Sequence, residues 1–390
     1  MSGSRGRRLV ERGAERGRSM GRGVMVAVAS LVVATGTVTG SVSALGHPTR
    51  DEGRPVARPS AHGPSGAPTP EGGPVTLSPA RPASPDASAG PSPSARRSRT
   101  AAPPALLYRH PDTQARAWVD AHPGDARRAV IASRIADRPV AVWFADFAPS
   151  TITGRVGAVT SAAAERGRVP VLVPYVVPRR DCGGASEGGA PGLAAYDGWI
   201  DGFAAGLGSH EVVVVLEPDS IADSDCLTEP ERAGRFASLA RAGRVLKAAN
   251  PRARVYYDAG NSDWNPAAAQ AALLRRAGAA SPASSDGVFT NVSNFNRTAD
   301  ETAYARRVLA ALGGPSGLGA VIDTSRNGNG AAPDGEWCDP PGRRIGPAPT
   351  LSTGEAGIDA HLWVKPPGES DGCRGEPGTF SAEYAYELAG

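Results

Sequence analysis

Glu211-Val212-Val213-Val214-Val215-Leu216-Glu217-Pro218-Asp219-Ser220-Ile221-Ala222-Asp223-Ser224-Asp225-Cys226-Leu227-Thr228-Glu229-Pro230-Glu231 is the stretch on which the fold turns. Its apolar run has no polar alternation, so the strand is expected in a parallel sheet covered on both faces. Thr228 before Glu229-Pro230-Glu231 reads as a helix start, with Thr as N-cap and Pro at the first helical position. Six more β-branched runs recur: Pro139–Ala145, Val169–Val177, Arg254–Asp258, Gly287–Val292, Gly319–Asp323 and Ala360–Lys365. Between most of them lie stretches with helical spacing, at 155–167, 192–207, 229–249, 265–277 and 298–312. Alternation at roughly 30–40 residue spacing predicts an α/β fold, a parallel β/α barrel of TIM-like type. Residues 328–358 show no helical period, so the barrel is expected to be irregular there.

Composition limits how much of the 390 residues folds. All 21 aromatic residues lie at or beyond Tyr108, and aromatic side chains dominate core burial. The folded domain is therefore placed at 105–390. Residues 1–24 carry seven Arg and two Glu, followed by an apolar run over 24–34 and the small residues Val42-Ser43-Ala44. Residues 1–44 thus read as a secretory signal peptide, and the protein as secreted. Left uncleaved, that leader would tether the chain to a membrane. Residues 45–104, rich in Pro and Ser, are expected to form a disordered linker. The formal charge of +3 comes from leader and linker, whose 14 Arg outnumber six acids; residues 105–390 sit near −5. No basic stripe remains to bind nucleic acid. Four cysteines, Cys182, Cys226, Cys338 and Cys373, argue for two disulfides in an exported protein. Three pairings are open, of which 182–226 with 338–373 is the most local. A zinc site lacks a C-x-x-C pair and neighbouring histidines.

In a parallel barrel every strand end faces the same rim, where barrel enzymes place their chemistry. Here those ends carry Trp143, then Arg180-Asp181-Cys182, Glu217-Pro218-Asp219 and Asp258 to Asn261. Asn291 to Asn294, Asp323 to Asn327 and Lys365 to Asp371 follow. Lys365 is one of only two lysines, with Lys247, in a chain holding 42 Lys and Arg together. Carboxylates and Trp dominate the rim, with no His. That set suits glycosidic cleavage, which needs one protonated acid for the leaving oxygen and one carboxylate to handle water. Trp143, Trp264 and Trp337 are candidate platforms for sugar faces. Trp118 and Trp199 fall in helical patterns and are expected in the core. The histidines lack metal-ligand spacing, Asp223, Ser224 and Asp225 lack the EF-hand pattern, and no His accompanies Ser220 or Ser325 in a triad. Neither metal nor cofactor is expected.

Seven motifs then carry a resemblance over 106–390. They are Val173 to Cys182, Leu216 to Ser220, Tyr257 to Gly260, Thr290 to Asn294, Ile322 to Gly328, Trp337 to Pro340 and Trp363 to Cys373. In order and spacing the chain resembles glycoside hydrolase family 6, the inverting cellulases. The resemblance implies a distorted, seven-stranded β/α barrel that hydrolyses β-1,4-glucosidic bonds of cellulose or soluble β-1,4-glucan with inversion. It implies Asp219 as general acid and Asp181 as the carboxylate that raises its pKa and helps remove the water's proton. Asp371 matches the proposed base. Asp258 matches a carboxylate that supports the transition state and holds Asp219, and Tyr175 a residue that presses the sugar ring from its relaxed chair. Trp143, Asn261, Trp264, Asn294, Trp337, Lys365 and Glu369 match substrate-binding positions. The disulfides implied are Cys182–Cys226 and Cys338–Cys373. Two departures stand out: Asn261 replaces the family's usual His, and Glu187 adds a charge to the loop whose Ser186 would hold water. Short spacing between Trp337 and Asp371 argues for an open cleft, hence an endoglucanase working as a monomer without an obligate protein partner. A cellobiohydrolase of the same family and a non-catalytic glucan-binding barrel are the alternatives.

Overall fold

The computed structural model describes residues 105–390; the expected leader and linker lie outside the described residues. The chain runs β1 (Leu106–Leu107), α1 (Gln114–Ala121), α2 (Arg128–Ile131, continued by a π turn over Ala132–Ala136), β2 (Val142–Phe144), α3 (Ile152–Glu165), β3 (Arg168–Val169) and β4 (Val171–Pro174). Then come α4 (Leu193–Ala205), β5 (Val212–Leu216), α5 (Glu229–Ala249), β6 (Ala253–Asp258), α6 (Ala267–Arg276), β7 (Gly287–Thr290), α7 (Thr298–Leu312), β8 (Gly319–Asp323), β9 (Ile358–Leu362) and α8 (Ala382–Ala389). Strands β2 and β4 to β9 form one seven-stranded sheet in chain order, every neighbouring pair parallel. All seven predicted strands are in it.

The apolar runs are explained by two cores. On β5, Val213 and Val215 face a cluster inside the curled sheet with Val173, Tyr256, Phe289 and Val321. Val212, Val214 and Leu216 face the opposite way, against helix residues such as Trp199, Phe203, Phe236 and Leu239. Each strand is covered on both sides, so alternation disappears. The sheet curls without closing by a ladder between β2 and β9. The Ala141 N–H donates to Trp363 O (3.0 Å) and the Trp143 indole donates to Val364 O (2.7 Å) across that seam.

Strand ends differ from the sequence expectation for a physical reason. The run Val169–Val177 breaks at Pro170, which has no N–H to donate, so β3 pairs with β1 while β4 joins the main sheet. Beyond β4, the N–H groups of Val176 and Val177 leave the ladder for the buried Glu217 carboxylate (3.2 and 2.9 Å). Beyond β9, those of Val364 and Lys365 turn to Asp323 (3.2 and 3.0 Å). The α5 start holds, with Glu231 accepting from both the N–H and the hydroxyl of Thr228, but Pro230 is the second helical residue rather than the first. No helix intervenes between β8 and β9 among the described residues, as the missing period foretold. Helices α1, α2 and α8 were not predicted; all are eight residues or shorter and carry little periodicity to read.

Candidate active site

The strand ends open onto a cleft of about 1030 Å³. That is the upper end of small-molecule sites (about 300–1,000 Å³), room for several sugar rings rather than one. Trp143, Tyr175, Asp181, Asp219, Asn261 and Trp264 line it, as do Asn294, Trp337, Lys365, Glu369 and Asp371. Of the twelve residues expected to act or bind substrate, Asp258 alone does not reach it.

Eight non-glycine residues in the described chain have positive φ, and all lie in loops that follow strands. They include Asp181 (φ 56°), Glu217 (49°), Asp219 (67°), Asn291 (69°) and Asp339 (48°). Such backbone costs about 1–3 kcal/mol per residue and persists only where surroundings enforce it. Buried carboxylates supply much of that enforcement. Asp258 accepts from the N–H groups of Ile221 (3.0 Å), Ala222 (2.8 Å) and Gly260 (2.9 Å), which fixes the loop carrying Asp219. It makes no hydrogen bond to Asp219 itself; what it holds is the backbone of that loop. Asp323 takes N–H groups from Ser293, Ser325, Val364 and Lys365. Sequence reading counted Glu217 and Asp323 among the rim groups; both turn inward and staple loops. Burial pushes the Glu217 carboxyl up to about 7, against the pull of its two N–H donors.

The Asp219 side chain accepts no hydrogen bond from the described residues; only its backbone carbonyl does, from the Asp223 N–H (3.1 Å). Burial, followed by the charges of Asp258, Asp181 and Asp223, holds its carboxyl well above the usual range. Asp181 lies across the cleft wall. Its Oδ2 accepts from the Ser186 N–H (2.7 Å) and hydroxyl (2.8 Å), and Tyr175 Oη lies 2.9 Å from the same hydroxyl oxygen. Because the Ser186 proton is spent on Asp181, Tyr175 must be the donor in that contact. At Gly184 a Cβ would lie 2.7 Å from the Asp181 carboxylate and would push it from its place. Gly189 is required: its φ is 105° and a Cβ would meet Val177 O at 2.1 Å. Arg180 binds Ala145 O (2.7 Å), Ser186 O (2.7 Å) and Tyr175 O, with its guanidinium 4.7 Å above the Tyr175 ring. Glu187, the charge without an assigned place, is exposed and does not line the cleft.

Asp371 sits in the opposite electrostatic setting. Arg326, fully buried, lies 2.7 Å from Oδ2 and Lys365 Nζ 3.1 Å from Oδ1. Behind them Asp339 accepts from the Asp371 N–H (2.8 Å), the Ser370 hydroxyl (2.6 Å) and the N–H groups of Cys373 and Arg374. Arg326 and Asp339 were overlooked as site residues, although their motifs were read. Nearby, Glu369 accepts from Gln114 Nε2 (2.8 Å), and burial raises its carboxyl to about 7. Asn261 Oδ1 accepts from the Asp263 N–H (3.0 Å) and Asn296 Nδ2 (3.3 Å). Trp264 and Trp337 are 40% and 58% exposed, too open for core residues, while Trp199 is fully buried and Trp118 half-buried. Both disulfides follow the local pairing and anchor carboxylate loops: Cys182–Cys226 beside Asp181, Cys338–Cys373 beside Asp371.

A family model, "Glycosyl hydrolases family 6", matches residues 105–387. The chain belongs to that family. It is a glycoside hydrolase, as the resemblance implied. The chain is similar to Endoglucanase 1 of Streptomyces sp. (strain KSM-9), 56% identical over 292 residues, 75% of this chain and 80% of that protein. Endoglucanase A of Thermobispora bispora is 49% identical over 73% of this chain and 61% of its own length. The solved family-6 endoglucanase Cel6 of Mycobacterium tuberculosis, in complex with methyl-cellobiosyl-4-deoxy-4-thio-β-D-cellobioside, superposes with a TM-score of 0.68 at 40% identity. That match covers 73% of this chain and 96% of the other.

Proposed function

We propose that this family-6 hydrolase is a secreted endo-β-1,4-glucanase that cleaves internal bonds of cellulose or soluble β-1,4-glucan with inversion. One observation carries the mechanism: the Asp219 carboxyl, with no donor or paired cation among the described residues, is buried and faces like charges from two neighbouring strands. A carboxyl so placed keeps its proton and can donate it to the departing glycosidic oxygen. Inversion then needs a water on the opposite face of the sugar, with room for it between the two carboxyl groups. The Tyr175–Ser186–Asp181 chain offers a route for that water's proton. Asp371 is less suited to accept it, because protonation would break its pairs with Arg326 and Lys365. Its fixed negative charge instead suits the positive charge that grows on the sugar ring in an oxocarbenium-like transition state. Asp258 acts from behind, through the backbone of the Asp219 loop.

Internal cutting is supported by the exposure of Trp264 and Trp337, which no described segment covers, and by the endoglucanase names of the most similar relatives reported above. Export is supported by two disulfides, which persist in oxidising surroundings; no described helix is long and apolar enough to cross a membrane. Viscosity loss of carboxymethylcellulose tests the reading. Wild type is expected to thin the solution quickly with little reducing sugar released, and Asp219→Asn to lose at least about 100-fold in kcat. Early products from cellohexaose should be α-anomers by NMR. A β-anomer, or an Asp219→Asn variant as active as wild type, overturns the mechanism.

A further inference from the structure

Asp223 is a cleft-lining carboxylate that none of the roles above uses. It is half-buried, yet its side chain accepts no hydrogen bond and pairs with no cation among the described residues. Its backbone is fixed. Its N–H donates to Asp219 O (3.1 Å), and the adjacent turn is closed by the Ser224 hydroxyl on Ile221 O (2.9 Å). Asp258 grips Ile221 and Ala222 from below, and the Cys182 sulfur lies 3.2 Å from Asp223 O, with Cys182 bonded to Cys226. A half-buried carboxylate with no cation partner among the described residues, on a backbone tied to the Asp219 loop, puts a negative charge into the cleft beside the acid.

The groups around it are accounted for from every side. Asp181 comes from the loop after β4, Asp258 from the end of β6, and Asp219 and Asp225 from its own loop. The cation acting on it, Arg235 on α5, donates instead to the carbonyls of Pro178, Arg179 and Ser220. Asp225 has an outlet in Arg232 (3.3 Å). Asp223 has none.

We propose that Asp223 is a positioning residue for the acid: its anionic side chain, on a backbone fixed beside Asp219, keeps the proton on Asp219 as pH rises and so sets the alkaline limit of activity. The inference rests on Asp219 being the acid. Burial and the charges of Asp181 and Asp225 also raise the Asp223 carboxyl, so the two groups compete for protons and the deeper one, Asp219, retains its own longer. The sign follows directly. Activity needs protonated Asp219 and falls as pH passes its pKa; removing a neighbouring negative charge lowers that pKa and brings the fall to lower pH.

The test is the pH profile of kcat/KM on a neutral cello-oligosaccharide for wild type, Asp223→Asn and Asp223→Glu. Asp223→Asn is expected to move the alkaline limb down by about half to one pH unit, with the acid limb in place, and Asp223→Glu to restore most of it. Should the Asn variant fold poorly, Asp223→Ser carries the same test, with Tm measured alongside. An alkaline limb that stays put overturns the proposal. So does a raised KM with an unmoved limb, the mark of a sugar contact rather than a proton-holding charge. If Asp219→Asn remains active, the acid assignment itself has failed; if Asp219→Asn is inactive and the limb of Asp223→Asn is unmoved, only the role of Asp223 has.

Discussion

The two rims of the cleft are built from the same residue type and behave in opposite ways. At the ends of β4, β5 and β6, Asp181, Asp219, Asp223 and Asp258 gather without a side-chain ion pair among the described residues. At the ends of β8 and β9, Asp371 and Asp339 surround the buried Arg326, with Lys365 alongside. Each rim is closed by one disulfide. Ionisation of Asp219 is opposed at the first by burial and like charges, whereas at the second Asp371 lies between two cations. Two acids can thus face one sugar ring, one neutral and one anionic, without any difference in their covalent chemistry.

Opening the disulfides separates the rims most sharply. Either bridge is worth about 3–4 kcal/mol in the loop-entropy model. The Cys338–Cys373 rim keeps its ion pairs and the four donors on Asp339, whereas the Cys182–Cys226 rim keeps mutually repelling anions. Cys182→Ser with Cys226→Ser should therefore lose more activity and more Tm than Cys338→Ser with Cys373→Ser, read by calorimetry and cello-oligosaccharide hydrolysis. Equal losses would break the comparison. Next in size is Asp371→Asn, which leaves Arg326 short of its main partner and should cost about 3 kcal/mol of stability. Asp219→Asn removes a repelled carboxyl and should leave Tm unchanged or raise it. Denaturant melts of the two variants side by side decide this.

A smaller effect concerns Glu217, which supports the first rim from below. Its folded pKa is raised from 4.5 to about 7, so its contribution is full below pH 4.5 and is lost as pH climbs through 7. Tm of the wild type should fall across that window, Glu369 adding to the fall with the same sign. Glu217→Gln should flatten the slope; an unchanged slope would show that Glu217 ionises without penalty. The smallest effect expected is that of Trp337→Ala. Stacking of about 1 kcal/mol corresponds to a several-fold rise in KM with kcat nearly unchanged, measured on cellohexaose. A fall in kcat instead would place Trp337 in the transition state rather than in binding.

Much of this was legible in the chain. Runs such as Val212–Leu216, apolar at every position, announce burial on both faces, and each leads into a polar strand end; periodicity and topology together bring those ends to one rim. What was not legible is direction. Nothing in Glu217-Pro218-Asp219 says that the first acid turns inward to Val176 and Val177 while the second opens to the cleft. The positive φ at both residues, enforced by partners some 40 positions away, makes that choice. The hold on Asp219 expected of Asp258 does not appear as a hydrogen bond between the two; Asp258 accepts instead from the N–H groups of Ile221 and Ala222. Arg326 looked like an ordinary charged loop residue because the sequence does not reveal that 45 positions later Asp371 returns to meet it.

The sequence by itself determined the barrel, the order of its strands and the acids at their ends, because hydrophobic period and chain connectivity act locally and are written in residue order. Only the tertiary structure decided which acid keeps a proton and which keeps a charge. Ionisation depends on burial and on neighbours within a few ångströms, and those neighbours come from separate strands, brought together only when the sheet curls.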